Sequence, residues 1–184
     1  MLKEVKINES TADNEELKQM YDSAFPGFDQ MLPYDQMIHI GDFINADLVA
    51  YYDKDILVGM TIVFVLPRFN FGVYFTVKEG LRNKGYGKKI LDILFNKYSK
   101  DRPFIIGAQS PFQKDAPNTE IRKRRYSFYL RSGFRDTGVS ATESSGTYVF
   151  MSTSDEPFTK KDFDEFATLL IANCEKCKVE NKTI

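Results

Sequence analysis

The segment Arg82-Asn83-Lys84-Gly85-Tyr86-Gly87 constrains this chain most, because it joins two patterns of different period. Before it, Phe71-Gly72-Val73-Tyr74-Phe75-Thr76-Val77 has the β-branched and aromatic content of a strand. After it, Ile90, Leu91, Leu94, Phe95 and Tyr98 recur as one face of a helix. A strand that turns straight into a helix through Arg-x-x-Gly-x-Gly leaves backbone N–H groups unpaired at the positive end of the helix dipole. Gly85 and Gly87 permit positive φ and close approach of a phosphate, and Arg82 and Lys84 add charge at the rim. The turn reads as an anion site suited to a pyrophosphate; its plain alternative is a tight corner that uses glycine for geometry alone. Two familiar phosphate loops are excluded. Ile90 stands where a dinucleotide fingerprint has its third glycine, and no Gly-Lys-Ser/Thr triplet completes a nucleotide-triphosphate loop.

The rest of the chain reads as alternating strands and helices. Leu2 to Ile7 suggests a short strand, and Ser10-Thr11-Ala12-Asp13 an N-cap for a helix carrying Leu17, Met20, Tyr21 and Ala24 until Pro26-Gly27. A second helix is expected from Pro33 toward Gly41. Leu48 to Tyr52 and Ile56 to Leu66 form a hairpin about Asp53-Lys54-Asp55. Phe104 to Ala108 is apolar enough for a buried strand, which makes strand, helix and strand a parallel crossover unit. A loop with Pro111 and Pro117 leads to a helix from near Asn118 to Ser132-Gly133, with Gly133 as its C-cap. Phe134 to Ala141 and Gly146 to Ser152 close the pattern as a hairpin, and a last helix after Asp155 shows Phe163, Phe166, Leu169 and Leu170 on its apolar side. Residues 1–153 are expected to be one domain and 154–184 a helical extension.

Composition sets the outer limits. A chain of 184 residues with 42% hydrophobic content, 16 Phe and 10 Tyr has material for one sizeable core. With 25 basic against 26 acidic residues, the overall field favours neither nucleic acid nor an acidic membrane as partner. The basic run Arg122-Lys123-Arg124-Arg125 with Arg131 reads as a solvated helix face despite the interleaved Tyr126, Phe128 and Tyr129. Cys174 and Cys177 supply half of a zinc set and His39 does not complete it, so no metal is expected. Without a signal-like N-terminus or an apolar stretch of membrane-spanning length, the expectation is a cytoplasmic protein with reduced thiols.

Taken in order, these parts resemble the GNAT superfamily of acetyl-CoA-dependent acyltransferases. Val77, Arg82, Gly85 and Gly87 match its Val-x-x-x-x-Arg/Gln-x-x-Gly-x-Gly/Ala pattern, and Tyr129-Leu130-Arg131-Ser132-Gly133-Phe134 matches its Tyr-x-x-x-Gly-Phe element. The hairpin ending Ile56-Leu57-Val58-Gly59-Met60 resembles the paired strands before its cofactor strand, and the likeness covers roughly residues 1–153. Asn83, where Gly is commoner, and Glu79, where Pro often stands, are departures that remove no backbone donor. The resemblance implies an α/β (α+β) fold with a central mixed, mostly antiparallel sheet of about six to seven strands flanked by helices, plus the C-terminal helix. It implies acetyl-CoA as co-substrate, with its pyrophosphate on Arg82, Asn83, Lys84, Gly85, Tyr86 and Gly87, and its pantetheine arm along the backbone edge of Phe75, Thr76 and Val77. It also implies acetyl transfer to a primary amine of a small molecule or protein by direct attack, and it is compatible with a homodimer.

Transfer from a thioester to an amine needs an oxyanion donor, a neutral nucleophile and a proton for the leaving thiolate. Tyr129 matches the family's acid tyrosine, with Tyr126 one turn earlier in reserve; the plain reading of Tyr129 is a tyrosine that packs the groove. Glu120, at the start of the same helix, ranks ahead of Glu79 and Tyr74 as base, although a carboxylate there also serves the helix dipole. The acceptor pocket is expected between Phe25 to Phe43, the Pro67-Phe69 loop and the closing hairpin, whose aromatic content suits an amphipathic small molecule. The competing reading is a CoA-binding regulatory module without turnover.

Overall fold

The computed structural model describes residues 1–27, 30–114, 116, 118–143 and 145–180, with the side chains of 179 and 180 excepted. Pro117 of the expected loop, Phe28 and Asp29 of the expected acceptor segment, and residues 181–184 of the expected extension lie outside the described residues. Seven strands make one sheet: Lys3–Lys6 (β1), Ala46–Asp53 (β2), Ile56–Val65 (β3), Asn70–Val77 (β4), Phe104–Gln109 (β5), Arg135–Glu143 (β6) and Gly146–Ser152 (β7). Their order is β1-β2-β3-β4-β5-β7-β6, and every neighbouring pair is antiparallel except β4 with β5. This is the mixed, mostly antiparallel sheet expected from the sequence. The one parallel pair is the one whose strands are joined by a crossover helix, Tyr86–Tyr98.

Helices cover both faces. On one side lie Asn14–Ala24 (α1), Tyr34–Met37 (α2) and Lys160–Glu180 (α5), which share a core with Ile62, Phe64, Phe71 and Phe150 of the sheet. On the other lie Tyr86–Tyr98 (α3) and Thr119–Arg131 (α4), packed over Val58, Val63, Phe104 and Met151. Ile90, Leu91, Leu94 and Tyr98 of α3 are buried, as the periodicity of the helix requires. No helix among the described residues is long and apolar enough to cross a membrane.

Three features differ from the sequence reading for local reasons. The first helix begins at Asn14 and not behind Ser10, because the Asn8 N–H donates to Thr11 Oγ1 and the Ser10 N–H to Asn8 Oδ1, each at 2.9 Å. Those side chains hold the backbone in a turn that competes with the helix. The helix expected from Pro33 is a single turn, Tyr34–Met37, followed by a 3₁₀ turn at Ile40–Asp42. In α5 the buried apolar positions are Phe166, Leu170, Cys174 and Cys177, whereas Leu169 is 44% exposed. The two thiols therefore belong to the apolar stripe that Leu169 was expected to share.

The start of α5 is fixed by a reciprocal cap. The Thr159 N–H donates to Asp162 Oδ2 at 2.8 Å and the Asp162 N–H to Thr159 Oγ1 at 3.2 Å, while Arg68 holds the other carboxylate oxygen. From there Phe166 stacks on Phe71 at 4.4 Å between ring centres and meets Phe64 and Phe69 at 5.8 and 6.4 Å. Phe166→Ala is expected to cost about 3–5 kcal/mol by denaturant unfolding, because it empties a ring-sized space in this core. Leu169→Ala, on the exposed side of the same turn, is expected to change stability by less than about 0.5 kcal/mol.

Candidate active site

The parallel β4–β5 pairing lasts for three residue pairs, Asn70 with Phe104, Phe71 with Ile105 and Gly72 with Ile106. It stops where β4 carries an extra residue: Ile62 faces Tyr74 and Val63 faces Gly72, so Val73 is bulged. A bulge bends its strand and breaks the ladder. Beyond it, Tyr74 to Val77 stay with β3 and Gly107 to Gln109 stay with β7, so the two strands part.

Which backbone groups face that gap follows from alternation. The Lys78 N–H donates to Val58 O at 3.0 Å, so Lys78, Thr76 and Tyr74 direct their backbone groups toward β3, while Phe75 and Val77 direct theirs outward. Arg82 Nε, which donates to Val77 O at 3.2 Å, reaches that outward carbonyl. On the other wall, Thr153 N donates to Phe104 O and Ser110 N to Thr147 O, so the even residues of β5 serve β7. Gly107 and Gln109 therefore direct theirs into the gap. Of the expected edge Phe75, Thr76 and Val77, the outward pairs are those of Phe75 and Val77, whereas Thr76 is used inside the sheet. The pairs of Gly107 and Gln109 were not foreseen, because side-chain identity carries no signal of backbone direction.

At the wide end of the gap stands the turn into α3. Asn83 and Gly85 both have positive φ, 61° and 83°, and Gly85 is the residue before the helix. Asn is among the few side chains that tolerate this conformation, which is why it stands here without disrupting the turn. Among the described residues, no backbone N–H from Asn83 to Lys88 has a backbone or side-chain acceptor; the first to be paired is Lys89, which donates to Gly85 O at 3.2 Å. Arg82 and Lys84 are exposed and make no ion pair among the described residues. The Tyr86 phenol is turned away to Asp53 Oδ2 at 2.9 Å, so only its backbone belongs to this turn. Gly87 differs from Gly85: a Cβ there would meet the Phe128 ring at 3.3 Å and the Phe75 ring at 3.8 Å. Its missing side chain is thus where α4 and β4 approach the first turn of α3.

Tyr129 and Arg122 are the two buried residues of α4. The end of that helix explains the Tyr-x-x-x-Gly-Phe element physically. Phe134 N donates to Tyr129 O and Gly133 N to Leu130 O, each at 3.1 Å, with Gly133 at φ 99°. This is a Schellman cap, and its customary apolar contact is the edge-on pair of Tyr129 with Phe134, ring centres 5.6 Å apart. The Tyr129 ring is fixed by this cap and by Phe128, while its hydroxyl has no hydrogen-bond partner among the described residues. Burial pushes its pKa up, against a smaller lowering by Arg125, so the phenol keeps its proton through the neutral range. Tyr126, the reserve candidate, is engaged on Asp136 Oδ2 at 2.7 Å; burial and then that carboxylate push its pKa up to about 12.

The carboxylates are less well placed. Glu120 is exposed and paired with Lys123 at 2.9 Å, nine residues from Tyr129 and therefore roughly 13 Å along the helix axis. Glu79 is exposed in the 3₁₀ turn Glu79–Leu81, and the Tyr74 hydroxyl accepts from Met31 N at 2.9 Å. His39 lies 3.3 Å from Glu9, and no group of three or more metal-ligating side chains occurs among the described residues. Lys123, Arg124, Arg125 and Arg131 form the solvated face expected of α4, but Arg122 does not, being only 5% exposed.

Gly85 and Asn83 are the two residues of this turn with positive φ, and they differ in what substitution does. Gly85→Ala has open space but the wrong φ, and is expected to cost about 1–2 kcal/mol by denaturant unfolding. Asn83→Gly, which relaxes the same constraint two residues earlier, is expected to leave stability equal or raised.

No protein-family model matches the sequence, and no curated protein matches it. Solved structures do match. A protein assigned to the GNAT acetyltransferases from Bacteroides thetaiotaomicron superposes with a TM-score of 0.68 at 21% identity, covering 89% of this chain and 93% of its own. The aminoglycoside 6′-N-acetyltransferase of Enterococcus faecium gives 0.63 at 15% identity, covering 87% and 99%. A Bacillus subtilis acetyltransferase in complex with CoA gives 0.58 at 18% identity, covering 83% and 97%. Seven strands in this order, parted at β4 and β5 and followed by an open helix start, give this chain the fold of the GNAT acetyltransferases.

Proposed function

We propose that the protein is an acetyl-CoA-dependent N-acetyltransferase that moves the acetyl group to a primary amine by direct attack in a ternary complex. The observation that carries this reading is the alignment of one gap with one open helix start. Backbone pairs of Phe75 and Val77 face those of Gly107 and Gln109 across the parted strands, and the free N–H groups of Asn83 to Lys88 stand at the wide end. An extended ligand with amides along its arm and a diphosphate at one end fits that arrangement, since strand edges pair with amides and helix starts with phosphate.

Acetyl-CoA, when bound, supplies the activated thioester. The turn from Arg82 to Gly87 holds its diphosphate by backbone donors, with Arg82 and Lys84 adding charge. Phe75 and Val77 hold the arm, and an outward N–H of β4 polarises the acetyl carbonyl, where a preorganised donor is worth most as negative charge develops on oxygen. Tyr129 presents a protonated phenol with no other partner among the described residues and gives its proton to the departing thiolate. The two cysteines are buried on the opposite side of the sheet, with Cys177 Sγ donating to Gln36 O, and offer no thiol to carry the acetyl group in between. This supports direct attack. Glu120 stands too far along α4 to take the amine proton itself, so we assign that step to water leading out to the solvent, with Glu120 at most its far end.

Thiol release from acetyl-CoA is measured over a panel of primary amines, with CoA binding measured in parallel. Turnover on at least one amine is expected; binding without turnover on any of them replaces this reading by the regulatory module. Tyr129→Phe preserves the ring contact of the Schellman cap, so it is expected to lower kcat about a hundredfold with CoA affinity unchanged. Full kcat in that variant removes the acid role.

A further inference from the structure

Arg122 lies in the second turn of α4 and is 5% exposed, yet no carboxylate pairs with it among the described residues. Its partners are all neutral: Nε donates to Asn118 Oδ1 at 2.7 Å, and Nη1 to Gln113 Oε1 at 2.7 Å and Ser110 O at 3.5 Å. Nη2, with two of the five N–H groups of a guanidinium, has no partner among the described residues, and it is not fully enclosed. A buried cation without a counter-charge is costly, and the two N–H groups of Nη2 remain able to donate to an anion oxygen.

The place is as informative as the charge. Ser110 follows β5 directly and turns its backbone to β7, Gln113 Oε1 also accepts from Thr147 N, and a Cβ on Gly146 would stand 3.8 Å from Nη2, so the guanidinium sits at the end of β5 on its β7 side. Arg122 and Tyr129 are seven residues apart on α4, hence on one helix face and roughly 10 Å apart along it. The start of α4 adds its own positive end. We infer that Arg122 binds an oxyanion, a carboxylate or a phosphate, where the end of β5 meets the start of β7, about two helix turns from Tyr129. Under the acetyltransferase reading, on which the choice of ligand rests, the oxyanion is either a carboxylate of the amine acceptor or a phosphate of the cofactor.

Steady-state kinetics of the whole chain distinguish the two. KM is compared between wild type and Arg122→Gln for acetyl-CoA, for S-acetylpantetheine, which lacks the phosphates, and for amines matched except for one carboxylate. A rise of about tenfold or more confined to acetyl-CoA identifies a cofactor phosphate; one confined to the carboxylated amine identifies the acceptor. An unchanged KM throughout, or an equal change for every substrate, overturns the inference, because a guanidinium that only fastens the loop to α4 treats all substrates alike. If Arg122→Gln does not fold by circular dichroism, Arg122→Lys, which keeps the charge and loses the fork, is read by the same selectivity. Wild-type crystals soaked in bromide make the site testable apart from activity. An anomalous peak beside Nη2 in a protein that does not bind CoA keeps the anion site and removes the acetyltransferase reading, and no peak there overturns the anion site.

Discussion

The structure depends on a parallel strand pair that cannot stay together. β4 and β5 are fixed by α3 at one end and held by different neighbours at the other, and the extra residue Val73 bends β4 away after three pairs. An unpaired strand edge inside a sheet normally costs the hydrogen bonds it forgoes and is closed by water or another chain. Here both edges are left open facing one another, so the middle of the sheet holds a slot of backbone donors and acceptors. The helices over it are arranged accordingly. α3 and α4 pack on the same face, on either side of the gap, and meet where the Phe128 ring approaches Gly87.

Backbone conformations that ordinary residues avoid fix both helix ends used by the site. Asn83 and Gly85 take positive φ so that the chain can leave β4 and start α3 with its first N–H groups outward. Gly133 takes positive φ so that α4 can close in a Schellman cap, which pins the Tyr129 ring against Phe134. The short patterns Arg-x-x-Gly-x-Gly and Tyr-x-x-x-Gly-Phe are thus descriptions of one helix start and one helix stop. Their chemistry comes from what those turns expose.

What the sequence revealed follows the same division. The strands of the sheet and the crossover unit were legible because β-branched runs and a 3.6-residue stripe are written in side chains, as in Phe71 to Val77 and Ile90 to Tyr98. The start of α1 was not, because Asn8, Ser10 and Thr11 can cap a helix or a turn with the same atoms. The stripe of α5 was misread at Leu169 because a cysteine packs as a small apolar residue, and Cys174 and Cys177 complete the face. In the site, residues that act by conformation, such as Gly85, were visible. Those that act by backbone direction, Gly107 and Gln109, were silent, since the bulge at Val73 that exposes them is a property of strand pairing.

Arg122 shows the limit from the other side. Within Arg122-Lys123-Arg124-Arg125 nothing distinguishes one cation from the next, and a solvated face is the right reading for three of the four. Helix periodicity selects the exception: position 122 shares its face with position 129, seven residues on, and that face turns to the sheet. A cation on an inward face must find acceptors, and Ser110, Gln113 and Asn118 supply neutral ones from the segment that leads from β5 into α4. The same contacts tie the loop after β5 to the helix that carries Tyr129. One inward face of α4 therefore carries both the Tyr129 phenol and, seven residues before it, the Arg122 guanidinium.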